Sequence, residues 1–158
     1  MSIKLDILRI TITDSGTKTI DRKTFSGNVL NNSNFKIYVL KLDGIYLYIG
    51  KTKQKIGAKF RQGFKSYINA LNGKRVSGYG GYKWIKEYIS TSKELKLFVF
   101  DLGLSCSDNN AEAIEAEIVF QIRKNQQRWP EYQNEIHFNN DFANATDVAN
   151  EIIELTFR

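Results

Sequence analysis

The chain has 158 residues, of which 42% are hydrophobic and 13% aromatic, and its net charge is +6 with a pI near 9.3. This composition supports one sizeable core, and no run approaches the ~18 apolar residues of a membrane span. The chain has one cysteine, Cys106, and one histidine, His137, and these counts exclude an internal disulfide and a structural Cys/His zinc site. The charged, alternating N-terminus lacks the apolar stretch of a signal peptide, so we expect a cytoplasmic protein.

The charge is unevenly distributed along the sequence. Residues 36–89 contain twelve Lys and Arg residues but only two acids, Asp43 and Glu87, which gives this segment +10 and leaves −4 on the remainder. A concentrated basic segment predicts a face that binds a polyanion, and DNA is the expected partner. A solvated surface that keeps the protein soluble is the simpler interpretation of the charge alone.

The N-terminal residues predict a strand followed by a loop. In residues 3–13, Ile3, Leu5 and Ile7 alternate with polar residues, and the alternation then continues in the opposite phase from Leu8. This phase change predicts a bulge or a bend. Residues 14–34 are rich in Ser, Thr, Asn, Asp and Gly and predict mostly loop. We therefore treat residues 1–34 as an N-terminal strand and loop extension.

A β-hairpin is predicted next. The strand-like runs 35–42 and 45–49 are separated only by Asp43 and Gly44. Asp-Gly between β-forming runs favours a hairpin because a type I′ turn needs positive φ at both central positions.

The remaining elements alternate between helix and strand. Apolar residues at helical spacing predict helices over Ile56–Leu71, Tyr82–Ile89 and Asp147–Leu155, and Leu95–Asp101 predicts a central strand. A glycine-rich basic loop fills Asn72–Gly81. Asn109 and Glu112 resemble a capping box, from which a helix should run to about Lys124. The order predicts a small α/β (α+β) fold, with a mixed or antiparallel three-stranded sheet flanked by helices.

One short motif is excluded by its context. Gly50-Lys51-Thr52 ends like a P-loop, but five residues separate it from the preceding Gly44, where the motif needs four. Gly44 also lies in the predicted hairpin turn. We therefore do not expect an NTPase.

The hairpin carries two tyrosine triplets. Lys36-Ile37-Tyr38 lies on its first strand and Tyr48-Ile49-Gly50 on its second, with nine residues between the tyrosines. These triplets resemble those of the GIY-YIG nucleases, although Lys36 stands where that family has glycine. The literal string Gly44-Ile45-Tyr46 is not the match, because it begins inside the turn.

The resemblance covers roughly residues 35–138 and implies a nuclease domain there, with residues 139–158 as a C-terminal helical extension. It implies an arginine and a second basic residue on the helix after the hairpin, and Arg61 and Lys65 fit at i and i+4. Lys59 is a weaker alternative for the arginine. By the resemblance, Tyr38, or with less support Tyr48, is the general base, Lys65 stabilises its phenolate, and Arg61 binds the scissile phosphate.

The family holds one divalent metal ion with a glutamate on a later helix. Of three candidates, Glu115 lies within the apolar stripe of its predicted helix, Glu112 lies at the edge, and Glu117 faces away. A carboxylate on an apolar face is costly unless it is paired or coordinates a metal. We expect Glu115 to hold Mg²⁺ or Mn²⁺, with Glu117 second and a buried ion pair as the alternative.

The last family element is an asparagine shortly after a P-x-[YW] turn. Here Pro130-Glu131-Tyr132 is followed by Gln133, at the family position, and Asn134, with the family residue type. Either amide would orient a metal-bound water or a phosphate. His137 is expected to be structural.

Five basic residues are expected to neutralise DNA phosphates beside the site. They are Lys51, Lys53, Lys55, Lys74 and Arg75.

The resemblance thus implies a metal-dependent endonuclease that hydrolyses DNA phosphodiester bonds. Cutting both strands needs two active sites, so a homodimer is a further expectation. Two alternatives stay open: a catalytically inactive nucleic-acid-binding module of the same fold, and an interaction domain whose basic segment meets an acidic protein.

Overall fold

The computed structural model describes residues 3–24, 28–76, 81–137 and 142–158. Within these ranges the chain forms five strands and four helices. In chain order they are β1 (Lys4–Thr13), β2 (Gly16–Thr24), β3 (Lys36–Leu42), β4 (Ile45–Thr52), α1 (Ile56–Leu71), α2 (Tyr82–Tyr88), β5 (Leu95–Asp101), α3 (Asp108–Gln126) and α4 (Ala145–Leu155).

The strands form one antiparallel sheet with the order β2-β1-β5-β3-β4. The α+β class is therefore confirmed, but the prediction of three strands is wrong. The sheet has five, because β1 pairs with β5 along seven residue pairs and brings β2 with it.

Strand β2 was predicted as loop. Its sequence is GTKTIDRKT, and seven of its nine residues are exposed, so it has no buried face to produce an alternating pattern. Its pairing with β1 stabilises it, and its three threonines are β-branched residues that favour strands. A strand of this kind at the edge of a sheet cannot be distinguished from a polar loop by hydrophobic periodicity.

The structure explains the change of phase in the hydrophobic alternation of β1. Leu5 and Ile7 pack into the core on one face of the sheet, and Leu8, Ile10 and Ile12 pack into the core on the other. Regular alternation on a strand buried on both faces thus produces the pattern that predicted a bulge near Leu8. The register irregularity that does occur lies between Arg9 and Ile10, on the side that pairs with β2.

Two hydrophobic cores cover the two faces of the sheet. Helices α3 and α4 pack on the face with Ile37, Phe98 and Phe100. Helices α1 and α2 pack on the face with Leu40 and Leu97. Residues of both predicted extensions contribute to these cores, since β1 lies in the sheet and α4 packs on α3. The predicted boundary at 138 lies outside the described residues, as does part of the predicted loop 72–81.

A bulge in β4 determines where its tyrosines point. Leu40 pairs with Tyr48 but Lys41 pairs with Tyr46, so Leu47 is an extra residue on β4. As a result Tyr46 packs in the α3/α4 core, where its hydroxyl is 2.6 Å from Thr156 Oγ1, while Tyr48 packs on the opposite face. The rejection of Gly44-Ile45-Tyr46 is consistent with this separation.

Helix α3 begins slightly earlier than predicted. Ser107 is its N-cap, and the Ser107 hydroxyl accepts a hydrogen bond of 3.1 Å from the Asn110 backbone N–H. The helix ends at Gln126, because Gln127 adopts a left-handed conformation with φ of 54°. None of the helices in the described ranges is long and apolar enough to cross a membrane.

Candidate functional site

A cavity of about 530 Å³ opens at the β4 edge of the sheet, and we call it the edge cavity. Its walls come from β4, the start of α2, one side of α3 and the segment after Pro130. That segment lies along the free edge of β4, where Glu131 N donates to Tyr46 O and Tyr132 N donates to Leu47 O. Tyr48, Glu115, Gln133 and Asn134 all line the cavity, although the sequence separates them by up to 86 positions.

Glu115 is the most perturbed acid of this cavity. It is half-buried on α3, where Ala111, Ile118 and Val119 around it are buried. Burial raises the pKa of Glu115 to about 7, and the neighbouring carboxylate of Glu112 acts in the same direction. A carboxylate that resists ionisation until neutral pH will respond strongly to a nearby cation.

Lys51 joins acidic residues on one side of the cavity in an ion-pair network. Its Nζ lies 2.7 Å from Asp108 Oδ1 and 3.5 Å from Glu112 Oε2. Burial opposes the charge on Lys51, but Asp108, Glu112 and Glu115 outweigh it and raise the pKa above its ordinary value. The expected contact of Lys51 with flanking phosphates stays a prediction, and in this structure Lys51 forms ion pairs with Asp108 and Glu112.

Lys59 supplies a second cation close to Glu115. It is half-buried on α1, burial lowers its pKa, and the charge of Glu115 opposes that shift. Conversely, the charge of Lys59 favours ionised Glu115. The sequence had ranked Lys59 below Arg61, but Lys59 is the one that interacts electrostatically with the predicted metal ligand.

Arg61 and Lys65 border a different cavity, of about 710 Å³, between α1 and the β1–β2 hairpin. We call it the hairpin cavity. Residues two apart on an α-helix lie about 200° apart around its axis, so Lys59 and Arg61 face opposite flanks of α1. The structure therefore does not bring Arg61 and Lys65 together with Glu115, in contrast to the arrangement that the resemblance implied.

Tyr38 in β3 and Tyr48 in β4 occupy different environments. Their rings lie 6.0 Å apart, but Tyr38 is only 1% exposed and packs edge-on against Phe60, whereas Tyr48 lines the edge cavity. Tyr48 is therefore the tyrosine that borders the cavity, and the assignment of Tyr38 as the general base stays a prediction.

Gly50 is required by this packing. It pairs with Tyr38 across the hairpin, and a Cβ at position 50 would overlap the phenol ring of Tyr38. The Tyr-Ile-Gly triplet thus has a physical reason for its glycine, since only a residue without a side chain leaves room for that ring.

Gln133 and Asn134, between which the sequence leaves the choice open, differ in their hydrogen bonds. Gln133 Oε1 accepts from Ile49 N at 2.9 Å, and Gln133 Nε2 donates to Ile49 O at 2.7 Å. These bonds use both amide atoms of Gln133 to fasten the segment to the edge of β4. Asn134 is exposed and lines the cavity, so its amide is the one available to a substrate.

Lys36 has a structural role at the position of the family's glycine. It is fully buried, and its Nζ donates to Asn32 O and Asn34 O, each at 2.8 Å, and to Gln54 O at 3.3 Å. Burial lowers the pKa of Lys36, and Asp101 opposes that shift. Lys36 therefore joins the loop before β3 to the loop after β4.

The other basic residues that are expected to contact phosphates are scattered over the surface. Lys53 lies 5.3 Å above the ring of Phe35, and Lys55 is the exposed N-cap of α1. Lys74 and Arg75 are exposed just after α1. Glu117, second candidate for the metal, accepts a hydrogen bond from Gln121 and is absent from the cavity wall.

Several residues that line the cavity were not selected as site residues from the sequence. Tyr82 and Lys83, at the start of α2, and Tyr132 all line the wall. Burial and a hydrogen bond with Tyr88 raise the pKa of Tyr132, so this phenol stays protonated. Tyr132 lies within the Pro130 motif, and that motif was the available signal. His137, expected to be structural, is exposed and lines the same cavity.

The oxygen donors of the edge cavity are of the type that a hard divalent cation prefers. Glu112 and Glu115 are one turn apart on α3, and Asn134 and Glu135 line the facing segment, so the donors are oxygen atoms of the kind that Mg²⁺ prefers. In the described ranges, no three His, Cys, Asp or Glu side chains are grouped so as to hold a metal. An ion here would take most of its ligands from water and phosphate.

No protein-family model, curated protein or solved structure matches this chain. The resemblance to GIY-YIG nucleases therefore stays a hypothesis based on the motifs.

Proposed function

We propose that the chain is a Mg²⁺- or Mn²⁺-dependent endonuclease that hydrolyses DNA phosphodiester bonds in the edge cavity. The observation that carries the proposal is that Tyr48, Glu115 and Asn134, each selected from a separate motif, line one cavity. Two cations, Lys51 and Lys59, interact electrostatically with its buried carboxylate.

Each residue has a defined task in this reaction. Glu115 would hold the metal ion, and Asn134 orients the attacking water or a phosphate oxygen. When bound, the divalent ion supplies positive charge that stabilises the phosphorane-like state and the leaving 3′ oxygen. Lys59, in place of Arg61, contributes positive charge beside the scissile phosphate.

Tyr48 accepts the proton of the water. A phenol acts as a base in its phenolate form, which nearby cations favour. As the proton moves to Tyr48, the water oxygen bonds to phosphorus and the bond to the 3′ oxygen breaks. The 3′ oxygen then takes a proton from solvent.

A nicking assay on supercoiled plasmid tests the proposal. We expect cleavage with Mg²⁺ or Mn²⁺ by the wild type and a loss of about 100-fold or more with Glu115→Gln. Glu117→Gln, on the same helix but outside the cavity, is the matched control and should cut normally. Equal rates for wild type and Glu115→Gln would refute the assignment of the site.

The second candidate is a catalytically inactive nucleic-acid-binding module. Two observations favour it: Arg61 borders the hairpin cavity, and Lys36 replaces the first glycine of the triplets. It predicts salt-sensitive DNA binding by a folded protein that cuts no DNA form with either metal.

A further inference from the structure

A groove of about 750 Å³ follows the edge cavity along α3. It is lined by Phe120, Arg123, Lys124, Gln127, Trp129 and Ile136, and we call it the Trp129 groove. Two of these six residues are cations and none is acidic. The groove is therefore an apolar surface bordered by positive charge.

The groove adjoins the edge cavity at Ile136. Ile136 lines both, and α3 borders the cavity with Glu115 and the groove with Phe120 and Arg123. At 1.5 Å per residue, Glu115 and Arg123 are about 12 Å apart along the helix axis. A polymer that lies in the edge cavity would thus continue into the groove.

The groove also presents flat, stackable surfaces. Trp129 is half-buried, and the guanidinium of Arg123 lies over its ring, 4.5 Å from the centroid. Phe120 is 37% exposed beside them. Bases of any sequence stack on such aromatic rings, and arginine adds charge and a planar face.

Building on the proposed nuclease function, we propose that the Trp129 groove binds a single-stranded segment of the DNA substrate. One base stacks against the Arg123–Trp129 pair, while Lys124 neutralises an adjacent phosphate. Bases inside a duplex are stacked on each other and their faces are covered, so the groove selects DNA with an unpaired segment next to the cleaved bond.

Fluorescence anisotropy with a labelled oligothymidylate of about 12 nucleotides tests this inference in the presence of EDTA, which prevents cleavage. We expect tighter binding of the single strand than of a duplex of equal length. Trp129→Ala should weaken single-strand binding about tenfold. Trp129→Phe, which keeps an aromatic ring, should retain most of the affinity.

The control separates stacking from charge. Arg128 is an exposed neighbour that pairs with Glu131 at 2.7 Å and does not line the groove. Arg128→Ala should therefore change single-strand affinity much less than Trp129→Ala does. Circular dichroism checks that each variant is folded.

Tryptophan fluorescence gives an independent measurement. The chain has two tryptophans, and Trp84 is fully buried. Oligothymidylate should quench the emission of the wild type and leave that of Trp129→Phe, in which only Trp84 emits, unchanged.

Equal binding of duplex and single strand, or a Trp129→Ala affinity equal to wild type, would overturn the inference. The nicking assay keeps the two proposals distinct. Binding through Trp129 without any metal-dependent cleavage refutes the nuclease alone, and normal cleavage with no role for Trp129 refutes the groove alone.

Discussion

The edge cavity and the hairpin cavity differ in the charges that surround them. Glu115, which is half-buried in the wall of the edge cavity, interacts electrostatically with Lys59 of α1, and each changes the pKa of the other. In the hairpin cavity, Arg61 and Lys65 border an apolar floor, and none of the described residues that line it is acidic. One helix thus presents basic residues to both sides, but only one side combines them with a carboxylate. Spacing along a helix cannot identify a catalytic residue until the flank that faces the acid is known.

The largest effect in this comparison is expected from the tyrosines. Tyr48→Phe removes the proposed base from the edge cavity and should slow cleavage about 100-fold or more. Tyr38→Phe changes a buried residue outside the wall and should leave the rate much closer to wild type. Single-turnover cleavage of plasmid measures both, and the opposite ranking would return the role of base to Tyr38.

The pH dependence of the metal requirement should be the next largest effect. Because burial raises the pKa of Glu115 to about 7, protons compete with the metal below that pH. We expect the Mg²⁺ concentration for half-maximal cleavage to rise as pH falls from 8 to 6, by up to about tenfold per unit below the pKa. A requirement that is independent of pH would contradict the assignment of Glu115.

The same shift predicts the sign of a stability change. The folded state holds a proton on Glu115 more tightly than the unfolded state does, so the free energy of unfolding falls as pH rises from about 4.5 to 7. Glu115→Gln lacks this titration. Its melting temperature relative to wild type should therefore rise over this range, and Mg²⁺ at pH 8 should stabilise only the wild type. Parallel curves for the two proteins, with and without Mg²⁺, would be inconsistent with this account.

A smaller effect, on stability, is expected from substitution of two glycines, Gly50 in β4 and Gly57 in α1. Gly50→Ala would overlap the Tyr38 ring and should lower the free energy of unfolding by about 1–3 kcal/mol. Gly57 lies on the exposed first turn of α1, where an added Cβ meets only the flexible end of Arg61. Gly57→Ala should therefore raise the free energy of unfolding by up to about 1 kcal/mol. Urea denaturation compares the two, and an unchanged stability of Gly50→Ala would show that the tyrosine can move aside.

Short-range sequence patterns predicted the turns, helices and strands whose formation depends on neighbouring residues. The Asp43-Gly44 turn, the stripe of α1 and the run of β5 follow from short-range spacing, and the structure has each of them. The position of Glu115 was equally accessible, because a carboxylate between buried apolar neighbours is visible on a helical wheel.

Long-range contacts account for what the sequence did not predict. Strand β2 is stabilised by pairing with β1 and buries no face of its own. The amide of Gln133 binds the backbone of Ile49, 84 residues away, which no local pattern indicates. The interaction between Lys59 of α1 and Glu115 of α3 likewise joins residues that are 56 positions apart in the sequence.

The most direct test of the central claim compares Lys59→Ala with Arg61→Ala in single-turnover cleavage at saturating protein. If the chemistry occurs in the edge cavity, Lys59→Ala should be about 100-fold slower than wild type, while Arg61→Ala stays close to it. A severe loss with Arg61→Ala and normal cleavage by Lys59→Ala would contradict the account and place the reacting phosphate on the other flank of α1.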